Sequence, residues 1–77
     1  MLEMNIETIK ARGFIHELDG VFEYRQGQIW IELRETGAKG FYCALISNRG
    51  CKRRVIDIEN IKQLDALMWQ EENTSVL

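Results

Sequence analysis

Two cysteines, Cys43 and Cys51, and one histidine, His16, are the residues of this chain best suited to metal binding or nucleophilic chemistry. Structural zinc takes four nitrogen or sulfur ligands, and these residues cannot supply the set from one chain. A thiol nucleophile needs a base within hydrogen-bond reach, and no spacing here brings His16 to either cysteine. The segment Thr36-Gly37-Ala38-Lys39-Gly40 has the glycines and lysine of a phosphate cradle. It does not end a strand and open a helix, so a flexible hairpin loop explains it more simply. Glu71 and Glu72 are adjacent carboxylates in the expected fraying end of a helix, where solvent keeps both ionised. The expectation is therefore no catalytic, metal or cofactor-binding residues: a chain that is not an enzyme and takes no small-molecule cofactor.

Two features point instead to binding. Arg49, Lys52, Arg53 and Arg54 put four positive charges within six positions of a chain whose net charge is −2, which leaves −6 on the remainder. Such a cluster can contact phosphates or an acidic partner, with affinity that falls in salt. It can equally protect a terminal sheet edge from aggregation, or be neutralised by the acidic C-terminal helix carrying Asp57, Glu59, Asp65, Glu71 and Glu72. Trp30 is the second feature. It falls among Glu23, Arg25, Gln28, Glu32 and Arg34 rather than in an apolar set, and tryptophan with arginine is enriched at interface hot spots. A covering helix, or shielding by Glu23 and the stems of Arg25 and Arg34, is the structural alternative.

The element that must position Trp30 is a hairpin across residues 21–34. Taking Gln26-Gly27 as a two-residue turn, Tyr24 faces Ile29 and Phe22 faces Ile31, with Leu33 on the same side. That alternation assigns Phe22, Tyr24, Ile29, Ile31 and Leu33 to the core and Trp30 to the reverse face. Residues 41–47, apolar on both alternating sets, read as a central strand. A turn at Asn48-Arg49-Gly50 returns the chain as a strand over 51–56. Asp57 then caps a second helix with Ile58, Ile61, Leu64 and Met68 at helical spacing and Leu67 and Trp69 at the borders of the stripe. One flat sheet can bury one border well; burying both needs a second surface.

At the N-terminus, Asn5 caps a helix whose Ile6 and Ile9 share a face. Two readings compete for residues 14–18. Gly13 can cap that helix and release a short strand, or the helix can run on to Leu18 at about 1 kcal/mol for an interior glycine. The helix is preferred. The fold expected is α+β: an antiparallel sheet of about four strands in a meander, a C-terminal helix packed on one face, and a short N-terminal helix.

The 77 residues form one expected domain over 1–77, with 1–4 and 72–77 frayed. No apolar run approaches the roughly 20 residues that span a bilayer, and no basic-then-apolar leader opens the chain. Membrane association is not expected, and two cysteines not set opposite each other suit the reducing cytoplasm. Self-association or docking on a larger protein is the leading expectation, with Trp30, Glu23, Arg25, Arg34, Leu67 and Trp69 as contacts. By size and composition, accessory proteins of phages and plasmids that inhibit host defence enzymes are of this kind. A small nucleic-acid-binding domain using Arg49, Lys52, Arg53 and Arg54 is the alternative.

Overall fold

The computed structural model describes residues 4–37, 40–50 and 53–73. In chain order they form α1 (Ile6–Lys10), β1 (Ile15–Leu18), β2 (Val21–Gln26), β3 (Ile29–Glu35), β4 (Tyr42–Asn48), β5 (Arg54–Ile58) and α2 (Ile61–Glu72). The strands make one antiparallel sheet in the order β1-β2-β3-β4-β5, a meander of five strands where the sequence predicts about four. The additional strand is β1. Gly13 takes φ +96°, a left-handed conformation that ends the helical path, and the chain turns so that Phe14 enters the core against Tyr24 at 5.2 Å between ring centroids. The continuous helix to Leu18 is thereby corrected: Leu18 is exposed, so no stripe from Ile6 to Leu18 exists to hold it.

Asn5 caps α1 as expected. Its side-chain oxygen accepts from the Thr8 amide at 2.9 Å, and the Thr8 hydroxyl oxygen accepts from the Asn5 amide at 3.0 Å. Of the two isoleucines, Ile9 is buried while Ile6 stays largely exposed. Met4, assigned to a fraying end, packs into the core instead.

The β2–β3 hairpin keeps the predicted faces but not the predicted register. Its two central residues are Gly27, at φ +61°, and Gln28, so Gln26 pairs with Ile29. Phe22 consequently faces Leu33 and Tyr24 faces Ile31. Each β2 residue has moved two positions along its partner, and a slip of two leaves every side chain on its original side.

Phe22, Tyr24, Ile31, Leu33, Tyr42, Ala44, Ile46 and Ile58 form the buried face of the sheet. Ile61, Leu64, Leu67 and Met68 of α2 cover it, and Ile9 and Phe14 extend the same cluster. Asn60, not Asp57, caps α2: its side chain accepts from the Gln63 amide at 3.0 Å, and the Gln63 side chain accepts from the Glu59 amide at 2.6 Å. Ile58 fits both a helical and an alternating pattern. Pairing with Tyr42 settles it as strand, and β5 extends over Arg54–Ile58 rather than 51–56. Arg12 fastens α2 to the N-terminal segment through two bonds to Asp65, from Nε at 2.7 Å and from a terminal nitrogen at 3.1 Å.

Candidate protein-binding face

With both helices on one side, the alternation of the strands leaves the other side of the sheet without a covering element among the described residues. The registers arrange its side chains in rows. Ile15, Glu23, Glu32, Leu45 and Val55 form one row across all five strands. Arg25, Trp30 and Ser47 form the row on one side of it, and Val21, Arg34, Cys43 and Asp57 the row on the other.

Glu23 and Glu32 lie directly opposite each other, a destabilising arrangement for like charges. Each is answered along its own strand. Arg25 Nε donates to Glu23 Oε1 at 2.8 Å, and Arg34 donates to Glu32 through its own Nε. The arginines remain mostly in water while the carboxylates they serve are partly shielded, so these pairs contribute little to stability beyond cancelling the repulsion.

Trp30 is partly buried in the middle of this face. The corrected register sets Arg25, not Glu23, opposite it. The Arg25 guanidinium carbon lies 5.7 Å from the ring centroid, and that of Arg53 lies 5.0 Å away, reaching across from the start of β5. Cations over an indole face at such distances contribute about 0.5–1 kcal/mol each where solvent reaches them. The indole N–H is shielded from solvent with no hydrogen-bond partner among the described residues. Leu45 beside it is half-buried, and Ile15 and Val55 at the two edges are exposed. Trp30 thus stands with an arginine and a serine directly opposite on its two neighbouring strands, next to a row that alternates from aliphatic Ile15 through Glu23 and Glu32 to aliphatic Leu45 and Val55.

The remaining predicted contacts divide. Trp69 is 67% exposed on the outer side of α2, in the helical layer and away from Trp30. Leu67 is 5% exposed and belongs to the core, which corrects its assignment as a partner contact: the helix buries one border of its stripe, and Leu67 is on that border. The basic cluster does not act as a unit. Arg49 is exposed in the turn at φ +54°, Arg53 joins Trp30, and Arg54 Nη2 meets Glu71 Oε2 at 2.6 Å; Lys52 and Cys51 lie outside the described residues.

That last pair overturns the solvated end assigned to Glu71. Glu71 is buried, and Asn48 Nδ2 donates to its carboxylate at 3.1 Å and to its backbone carbonyl at 3.3 Å. The signal was present in the sequence, since Ile61, Leu64, Met68 and Glu71 continue one helical stripe. Glu72 turns outward to accept from the Tyr24 hydroxyl at 3.0 Å. Burial, reinforced by Glu72, raises the Tyr24 phenol above its ordinary value, and burial with nearby Glu35 raises Tyr42 likewise.

His16 stacks on Phe22 at 4.6 Å on the helical side, whereas Cys43 stands on the opposite face beside Arg34 and Asp57. The sheet therefore separates the thiol of Cys43 from the imidazole. Clefts among the described residues lie at the ends of the strands. One of about 440 Å³ is lined by Glu7, Asp19, Glu35 and Tyr42 among others, and one of about 350 Å³ by Gln26, Gln28, Asn48, Arg49, Glu71 and Glu72. Among the described residues, no group of three or more histidine, cysteine or acidic side chains is placed to hold a metal ion, and no helix is long and apolar enough to cross a membrane. No family model, curated protein or solved structure matches the chain.

Proposed function

We propose that the chain is a small non-enzymatic binding module that docks on a larger protein through the uncovered face of its sheet. The carrying observation is Trp30, held on that face between Arg25 and Arg53. Tryptophan and arginine dominate the energetics of protein interfaces, and Leu45, Val55 and Ile15 add aliphatic side chains to the same face. Charge on the face is balanced: Arg25, Arg34 and Arg53 stand with Glu23, Glu32 and Asp57. A balanced mosaic favours a protein surface of complementary pattern over a polyanion. Its size and composition suggest the setting of a phage or plasmid accessory protein that inhibits or modulates a larger host protein, in the cytoplasm.

Nucleic-acid binding is the second reading, and one observation favours it: Arg53 brings the basic segment onto the face that carries an aromatic ring. Against it, Arg54 is engaged by Glu71, and Glu23 and Glu32 would meet the phosphates. Parallel capture from a host lysate with the wild-type chain and Trp30→Ala, read by mass spectrometry, tests the first reading. A protein retained by wild type and lost from a variant that still melts normally is expected. If Trp30→Ala captures the same proteins as wild type, the face is not the docking surface. Retention of single-stranded DNA at low salt that disappears in Arg53→Glu would instead favour the second reading.

A further inference from the structure

The two edges of the sheet differ in whether they can accept another strand. β1 is four residues long and its register breaks between His16 and Leu18, which spoils a continuous ladder. β5 runs through five unbroken pairs with β4.

The direction of its backbone groups follows from the neighbouring ladder. The Arg49 amide donates to the Gln28 carbonyl at 3.2 Å and the Thr36 amide to the Phe41 carbonyl at 2.9 Å, so odd-numbered residues of β4 bond to β3. Even-numbered Tyr42, Ala44 and Ile46 therefore address β5, and their partners Ile58, Ile56 and Arg54 turn inward. The N–H and C=O groups of Val55 and Asp57 consequently point away from the sheet.

Charged side chains usually guard such an edge. The two arginines at the start of this one are drawn off it, Arg53 over Trp30 at 5.0 Å and Arg54 onto Glu71 at 2.6 Å. What remains is aliphatic Val55, 61% exposed, and Ile56, 38% exposed, followed by the single exposed carboxylate of Asp57.

We propose that β5 pairs antiparallel with β5 of a second copy, Val55 opposite Val55, joining two five-stranded sheets into one of ten strands. The occupant follows from charge and register. Directly opposed residues of an antiparallel pair share a face, and a two-fold axis beside Val55 sets Arg53 opposite Asp57 of the second copy, twice. An axis at Arg54 would oppose Arg54 to itself, and one at Ile56 would set Val55 against Asp57 of the second copy. The pairing is self-complementary in the first register alone of these three. In it, Arg53 exchanges the ring of Trp30 for a carboxylate, and the two binding faces lie on the same side of one continuous sheet. A pair this short buries less than the roughly 1,000 Å² of a stable interface, so the dimer is concentration-dependent.

The edge pairing goes beyond docking on a larger protein and is read separately, because its tests weigh the chain alone with no partner present, whereas docking is read by the loss of capture in Trp30→Ala. Sedimentation of the full chain from micromolar to millimolar concentration is expected to rise from the mass of one chain to that of two. Val55→Lys, which opposes two lysines on the axis, and Arg53→Asp are both expected to keep the chain monomeric throughout. Arg53→Asp with Asp57→Arg restores the opposite charges and is expected to restore the dimer. A wild-type chain that stays monomeric at millimolar concentration overturns the proposal. So does a dimer that survives Val55→Lys, or a double charge exchange that leaves a folded monomer. Should Val55→Lys fail to fold by circular dichroism, the charge exchange decides.

Discussion

The two faces of the sheet are made by the same five strands, yet they carry opposite kinds of stabilisation. On the covered face β2 to β5 contribute side chains to one cluster closed by α2, and polar groups along it bond to that helix: Asn48 and Arg54 to Glu71, Tyr24 to Glu72. On the uncovered face the carboxylates are answered locally, Glu23 by Arg25 and Glu32 by Arg34 two residues along the same strand, and Trp30 has the guanidinium groups of Arg25 and Arg53 at 5.7 and 5.0 Å from its ring. Burial of apolar area scales with the atoms removed from water, whereas exposed ion pairs contribute near zero to 1 kcal/mol. The difference teaches which face holds the fold together and which leaves its side chains open to change without unfolding it.

Substitutions should separate the faces, and the largest effect belongs to the covered one. Phe22→Ala, at a fully buried position, is expected to lower unfolding free energy by about 3–5 kcal/mol in urea titration, enough to unfold a domain of this size. A loss no larger than a surface mutant's would contradict the assignment of that face as core. Glu71→Ala removes the acceptor shared by Asn48 and Arg54 and should cost about 2–4 kcal/mol. Unchanged stability there would mean the carboxylate is not shielded as described.

Alkali should also act through the covered side. Tyr24 and Tyr42 have their phenol pKa raised above 10.0 in the fold, chiefly by burial. A raised folded-state pKa gives stability that is complete below the unfolded value and is lost as pH rises from there through the folded value. Melting temperature should therefore fall above about pH 10, and replacing both tyrosines by phenylalanine should flatten that fall. Arg12→Ala, at a partly exposed ion pair, is expected to cost at most about 1 kcal/mol and to be partly mimicked by salt. Trp30→Ala, which loses two cation–π contacts, should cost no more than about 1–2 kcal/mol while abolishing partner capture. Global unfolding of that variant would put Trp30 with the core and erase the contrast between the faces.

Much of this contrast was legible in the residues. Alternation in the hairpin separated Phe22, Tyr24, Ile31 and Leu33 from Trp30 correctly even though the turn was placed one residue early, because a register error of two is invisible to a period of two. The positive φ belongs to Gly27 in either placement, so composition alone could not choose. The strand β1 was hidden by a coincidence: Phe14 and Leu18 are four apart, which suits a helix, and only the tertiary position of Gly13 beneath Tyr24 excludes one. Asp57 and Asn60 are both good caps, and pairing of Ile58 with Tyr42, a contact between distant residues, decided between them. The same limit concealed the union of Trp30 on β3 with Arg53 just before β5, with β4 between the two strands.

The strand order also bears on how quickly the molecule can assemble. Each strand pairs only with its neighbours in sequence, so three hairpin closures and the short β1–β2 turn build the sheet without any segment waiting for a remote one. Long chain loops close only when α2 comes down, bringing Tyr24 to Glu72 across 48 positions and Arg12 to Asp65 across 53. Helix docking is thus expected to carry the entropy of loop closure, with the Arg12–Asp65 clasp forming after it. Loosening that clasp should quicken unfolding and leave the refolding rate almost untouched.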